Sequence, residues 1–224
     1  MNARYELIIF DWDGTLADSA GDLVGSLQQA IQDTGLPERT PAQMRELIGM
    51  SIQDILGRLW PELDPAKVRS RLAAYRARYG WPKTKARLFD DVLDTLAELR
   101  EAGYTLSVAT GKSRRGLDRA LADTRSRELF RLTRCADESA PKPAPNLVED
   151  LLLRTATEPA RALVVGDTEY DMFMARAAGV DGVAVGTGVH DEARLKRAGA
   201  IAVLPNIGAL PPWLAGRFDG VTES

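Results

Sequence analysis

Two hydrophobic rhythms divide this chain. Leu7-Ile8-Ile9-Phe10 is an unbroken apolar run, the pattern of a strand buried on both faces. From Asp18 to about Gly80 apolar residues instead recur at spacings of three and four, the rhythm of helices. Leu23, Leu27, Ala30 and Ile31 mark a first helix over Asp18–Asp33, ended by Gly35 and Pro37. Thr40-Pro41-Ala42-Gln43 is a helix start: Thr caps, Pro occupies the first turn and Gln completes a capping box. Met44, Leu47 and Ile48 give that helix an apolar face. Gly49-Met50-Ser51 interrupts it, and Ile52, Ile55, Leu56 and Leu59 resume it. Asp64-Pro65 opens another helix, carrying Val68, Leu72 and Tyr75.

Beyond Pro82 and a linker at Lys83-Thr84-Lys85-Ala86 the pattern alternates. Strands are predicted at Thr105–Ala109, Leu132–Cys135, Ala162–Val165, Gly182–Val185 and Ile201–Leu204. Helices are predicted at Val92–Ala102, Arg114–Thr124, Asn146–Arg154, Asp171–Ala178 and Glu192–Ala198. Strands separated by helices imply an α/β fold with a parallel sheet covered on both faces. The all-helical block interrupts that sheet after its first strand, so residues 17–82 read as an inserted cap domain and residues 1–16 and 83–224 as the core. The tail after Leu210-Pro211-Pro212 carries weak structure signals and is expected to be partly disordered.

Composition removes several classes of function. The 224 residues carry a net charge of -3, which gives no global attraction for nucleic acid. No apolar run approaches the ~18 residues of a membrane helix, and the opening residues lack a secretory leader, so a cytoplasmic protein is expected. Cys135 is the one cysteine, which excludes an internal disulfide; its apolar strand predicts a buried, inert thiol. His190 is the one histidine and reads as a surface residue in a glycine-containing loop. Acid–base chemistry must therefore fall on carboxylates or lysine. From Arg58 to Arg87 nine Lys or Arg face two acids, read as a solvated helix face, with attraction of an anionic substrate as the functional alternative.

The candidate chemistry begins where the first strand ends. Asp11 and Asp13, two residues apart, start on the same side of an extended chain, and Gly14 lets the backbone turn behind them. A calcium loop is excluded: Gly14 is fourth, Thr15 fifth and Asp22 twelfth, where that loop needs an acid or its equivalent at the fifth position, Gly at the sixth and Glu at the twelfth. Three later stretches carry related groups: Thr110-Gly111-Lys112, Lys142 between Pro141 and Pro143, and Gly166-Asp167-Thr168-Glu169-Tyr170-Asp171. A right-handed wound parallel sheet gathers carboxyl ends of strands on one edge, so these residues are expected to converge.

Asp11-Trp12-Asp13-Gly14-Thr15, Thr110, Lys142 and Gly166-Asp167-Thr168 with Asp171 resemble, in order, the four motifs of the haloacid dehalogenase-like hydrolase superfamily. The helical insert matches the superfamily's small helical cap, and Leu16, Asp18 and Ser19 bring the chain nearest to its phosphoglycolate phosphatase-like branch. The resemblance implies a Rossmann-like core and magnesium-dependent transfer of phosphate from a small phosphorylated metabolite. It implies Asp11 as nucleophile and Asp13 as acid and base. Thr110, Gly111 and Lys142 would hold phosphate. Asp11, the Asp13 carbonyl and Asp167 would bind Mg2+, with Asp171 behind them. Phe89-Asp90-Asp91 departs from the family's form, which has a Pro-Gly pair after the Phe.

Elementary chemistry asks for the same groups. A phosphate monoester is an anion, and attack on it by a carboxylate needs nearby positive charge and alignment. Within the superfamily that the chain resembles, dehalogenases, whose leaving halide needs no proton, and phosphonate-cleaving relatives lack an acid at the position of Asp13, so the resemblance implies neither of them. The resemblance also implies that Thr15, where sugar phosphomutases of the branch usually carry a different residue, favours water over a sugar as final acceptor. A phosphosugar mutase, a non-catalytic phosphate-binding protein and a phospho-acceptor signalling domain stand as alternatives. Gly49-Met50-Ser51 is the candidate cap loop over the site, and Tyr170 a candidate for the rim of the phosphate pocket.

Overall fold

The computed structural model describes residues 4–79 and 85–216. Its centre is a six-stranded parallel sheet of β1 (Leu7–Phe10), β2 (Thr105–Thr110), β3 (Leu132–Cys135), β4 (Ala162–Gly166), β5 (Asp181–Val185) and β6 (Ala202–Leu204). The spatial order is β3-β2-β1-β4-β5-β6, with Phe10 opposite Val108 on one side and Val165 on the other. That order reverses between β1 and β4, the point at which open α/β sheets form a ligand crevice.

Every residue of β1 is buried, and its two faces feed two cores. Ile8 and Phe10 join one with α5 (Val92–Glu101) and α6 (Arg114–Thr124); Leu7 and Ile9 join the other with α7 (Asn146–Thr155) and α8 (Glu169–Ala177). This double burial explains a run with no polar alternation. Helix α9 (Glu192–Ala198) covers β5 and β6 through Leu195 and Ala198.

Between β1 and α5 lie four helices: α1 (Ala20–Thr34), α2 (Pro41–Arg45), α3 (Ile52–Leu59) and α4 (Pro65–Tyr79). They enclose a core of their own, with Val24, Ile31, Ile48, Trp60 and Leu72 among its members. The Thr40–Gln43 capping box forms as expected, and Ser51 caps α3. The chain leaves and re-enters the sheet along paired segments: Asp18 N–H donates to Arg87 O and Phe89 N–H to Leu16 O, both at 3.1 Å. The architecture is thus a Rossmann-like α/β core with an inserted helical cap.

Two expectations are corrected. Residues Leu210–Gly216 are not weakly structured: they form α10, a helix whose Leu210 and Leu214 are buried against α5, and the rest of the tail, 217–224, lies outside the described residues. Two prolines at its start obscured it, although Pro is tolerated in a helix's first turn. Helix α2 stops at Arg45 and passes through turns to Gly49 rather than running on through Ile48. Arg58, Lys67, Arg69, Arg71, Lys85 and Arg87 of the basic stretch are exposed. The side chains of Arg76, Arg78 and Lys83, and the linker residues Lys83 and Thr84, lie outside the described residues.

Leu214→Ala should cost about 2–5 kcal/mol in urea denaturation, the range for truncating a buried leucine. A loss below about 0.5 kcal/mol, the surface range, would show that α10 does not dock.

Candidate active site

The carboxyl ends of β1, β2 and β4 bring the expected residues together. Asp11 and Asp13 leave β1 on the crevice side, while Trp12 between them is fully buried against Phe130 in an edge-to-face contact. Thr110 ends β2, and Asp167 follows β4. Lys142 reaches in from the segment before α7. All of these polar side chains are buried, an unusual concentration of charge.

Lys142 is the electrostatic centre. Its Nζ lies 2.6 Å from Asp11 Oδ1 and 2.6 Å from Asp171 Oδ1. The contacts are ion pairs without well-angled hydrogen bonds. Burial alone would lower the Lys142 ammonium, but the two carboxylates outweigh it and hold the group above its ordinary value. Burial pushes Asp11 up to about 7; Lys142 opposes the shift, and Asp171 and Asp13 add to it. Asp167 is raised well above the ordinary carboxylate range, chiefly by burial and then by Asp171 and Asp11.

Local structure fixes each carboxylate. Asp171 closes the capping box of α8, its Oδ2 accepting from Thr168 N–H at 3.0 Å and Thr168 Oγ1 at 2.7 Å. Asp167 accepts from Thr15 Oγ1 at 2.8 Å and from Val189 N–H at 3.2 Å. Asp13 Oδ1 is met by Ser19 Oγ at 2.5 Å and by Lys112 Nζ at 2.8 Å. Thr110 Oγ1 accepts from Lys112 N–H at 3.2 Å, which leaves its own proton to donate.

Asp11, Asp167 and Asp171 place ligand oxygens within 4.8 Å of one another. Asp11 Oδ2 is buried with no hydrogen-bond partner. Three carboxylates face one lysine, so the cluster fits a divalent, oxygen-preferring cation that would balance its charge. Both oxygens of Asp171 are already engaged, whereas Asp11 keeps one open.

Glycines make room for the cluster. Gly14 has φ 82°, and a Cβ there would lie 2.4 Å from Asp167 Oδ2. At Gly188 it would lie 1.7 Å from the same oxygen. Gly188 and Thr187, whose Oγ1 donates to Gly14 O at 2.8 Å, were missed in the sequence. The signal was present, since Gly186-Thr187-Gly188 follows another strand, β5, and so reaches the same edge. Lys112 was named with Thr110 and Gly111, but its pairing with Asp13 was not foreseen.

Two further expectations fail. His190 is not a surface residue but buried, because its loop runs beneath the cap. Its Nδ1 accepts from Glu169 N–H at 3.0 Å, and its Nε2 faces Glu46 O of the cap at 3.3 Å; burial lowers its pKa. Tyr170 packs into the cap core instead of the pocket rim, its hydroxyl donating to Glu46 O at 3.4 Å. The cap loop does meet the site: a Cβ on Gly111 would fall 2.5 Å from the carbonyls of both Gly49 and Met50.

Asp167→Asn should raise the melting temperature of the metal-free protein by about 2–4 °C, the shift for ~1 kcal/mol of relieved repulsion. It should also remove stabilisation by magnesium. A lower melting temperature with magnesium stabilisation intact would contradict this balance of charge.

The chain is 32% identical over 198 residues to "Probable phosphatase IndB" of Dickeya dadantii, covering 86% of each. It is 33% identical over 187 residues to the phosphoglycolate phosphatase of Xanthomonas campestris pv. campestris, covering 79% of this chain and 81% of that one. A crystal structure of a hydrolase from Pseudomonas syringae superposes with a TM-score of 0.81 at 25% identity, covering 96% of this chain and 99% of that one. Residues 8–185 match the model of the haloacid dehalogenase-like hydrolase family, and the chain belongs to that family.

Proposed function

We propose that the protein hydrolyses a small phosphomonoester through a phosphorylated Asp11. The chain is a phosphoric monoester hydrolase, and the observation that carries the finer reading is the buried Asp11–Lys142–Asp171 array beside Asp13. Residues 17–82 are assigned to the cap and 1–16 with 83–224 to the core; the 82/83 boundary lies outside the described residues.

Asp11 attacks phosphorus, and the bond from phosphorus to the leaving oxygen breaks. Asp13 gives that oxygen its proton. In the second step Asp13 takes a proton from water, the water oxygen attacks phosphorus, and the bond to Asp11 breaks. One difficult displacement becomes two easier ones. Lys142 neutralises Asp11 and the incoming phosphoryl oxygens, lowering the cost of bringing two anions together. Thr110 Oγ1 and the Gly111 backbone N–H donate to the phosphoryl oxygens. Lys112 and Ser19 hold Asp13 by the oxygen they share.

Asp11, Asp167 and the Asp13 carbonyl would hold Mg2+, with Asp171 orienting the cluster from behind. When bound, the ion supplies positive charge to the phosphoryl group in its transition state. Residues of the cap loop 49–51 close the site from above and exclude water from the leaving group.

A sugar phosphomutase would use the same first step but return phosphate to a sugar. The aliphatic side chains that the cap places around Asp13 favour release to water. No described helix is long and apolar enough to cross a membrane.

Phosphate release measured with magnesium should fall by at least about a thousandfold in Asp11→Asn. Substantial residual turnover would remove Asp11 as nucleophile. Asp13→Asn should lose about 10²–10⁴ in rate, most for poor leaving groups. An equal loss for good and poor leaving groups would contradict proton donation by Asp13.

A further inference from the structure

The geometry points to an apolar leaving-group subsite, and hence to phosphate monoesters of small hydrophobic alcohols as the substrate class. This rests on the phosphatase reading and narrows it away from phosphoglycolate.

A cavity of about 130 Å³ opens between cap and core with Asp13 on its wall. The cap surrounds it with Leu23, Val24, Leu27, Ile48, Ile52 and Ile55, drawn from α1, the loop after α2, and α3. Its polar side chains among the described lining residues are Asp13, Lys112 and Ser113, all on the core side. The cap contributes no charged or hydrogen-bonding side chain there. Lys112 is the one cation of that lining, and it is already paired with Asp13 at 2.8 Å.

Position turns this lining into a selection rule. Asp13 donates to the oxygen that leaves, so whatever that oxygen carries extends from Asp13 into the cavity. A glycolate carboxylate or the hydroxyls of a sugar would enter with no partner from the cap. Burying an unpaired charge is strongly disfavoured, and an unpaired hydroxyl is disfavoured too. An alkyl or aryl group would instead replace water against six aliphatic walls. The exposed basic residues of α4 do not change this, since they line no part of the cavity.

The test is a substrate series of near-constant chemical reactivity. Phosphate release from ethyl, propyl and butyl phosphate is compared with release from phosphoglycolate and glycerol phosphate, in magnesium, with the unaltered full-length protein. kcat/KM should rise about three- to fourfold per added methylene until the chain outgrows the cavity. Phosphoglycolate should fall below propyl phosphate. Val24→Thr keeps the shape of the wall and adds a hydroxyl, so it should reduce the butyl-to-ethyl ratio. Ile55→Arg at the half-buried mouth should raise phosphoglycolate relative to butyl phosphate.

A flat or reversed series with release intact overturns the subsite and leaves the phosphatase standing. Silence from every phosphomonoester overturns the phosphatase reading and the subsite with it. Unchanged ratios in a folded Val24→Thr protein also overturn the subsite.

Discussion

A lysine with no solvent exposure of its side chain, held between two carboxylates, is the constraint on which the rest of this structure depends. Removing one partner of a buried pair costs about 3–5 kcal/mol, so the array persists only because its surroundings fix it. Three elements do this. β1 presents Asp11, the capping box of α8 locks Asp171, and the segment before α7 carries Lys142 inward. Those elements meet at the carboxyl edge beside the reversal of strand order. The same contacts that hold the fold together are the ones on which the proposed attack by Asp11 would rely.

The cluster is overcharged as it stands. Three carboxylates gather where a single ammonium pairs with two of them, Asp11 and Asp171, and burial raises both Asp11 and Asp167. Such a site is less stable than a neutral core would be, and a divalent cation, which carries the opposite charge, would relieve it. The cap works by a different principle. It has its own apolar core, meets the sheet domain through Glu46, Tyr170 and His190, and lays Gly49 and Met50 directly on Gly111. On the proposed reading, phosphate chemistry belongs to the core and choice of leaving group to the aliphatic faces of the cap.

Much of this was legible because it depends on local pattern. The apolar run Leu7–Phe10 predicted a doubly buried strand, and alternation predicted the parallel sheet and the edge where the candidate residues gather. Asp11, Asp13, Thr110 and Asp167 could be named because strand ends carry them there, and Lys142 and Asp171 because they lie just before a helix and in the first turn of one. His190 could not be read correctly, since its burial depends on Glu46, 144 positions away, reaching over its loop. The role of Gly188 and the pairing of Lys112 escaped notice for a similar reason: each is a distance, to Asp167 and to Asp13, not a spacing in the chain. Helix α10 was hidden by two prolines that a first turn accommodates. The apolar cavity beside Asp13 needed the cap docked on the core before its lining became visible.

Covalent phosphorylation of Asp11 is the step on which the proposed chemistry turns. Borohydride added during steady turnover reduces an aspartyl-phosphate to homoserine, and peptide mass spectrometry then locates the altered residue. The expected result is homoserine at position 11, dependent on substrate and absent in Asp11→Asn. Continued phosphate release with Asp11 unmodified, or modification at another aspartate, would contradict it.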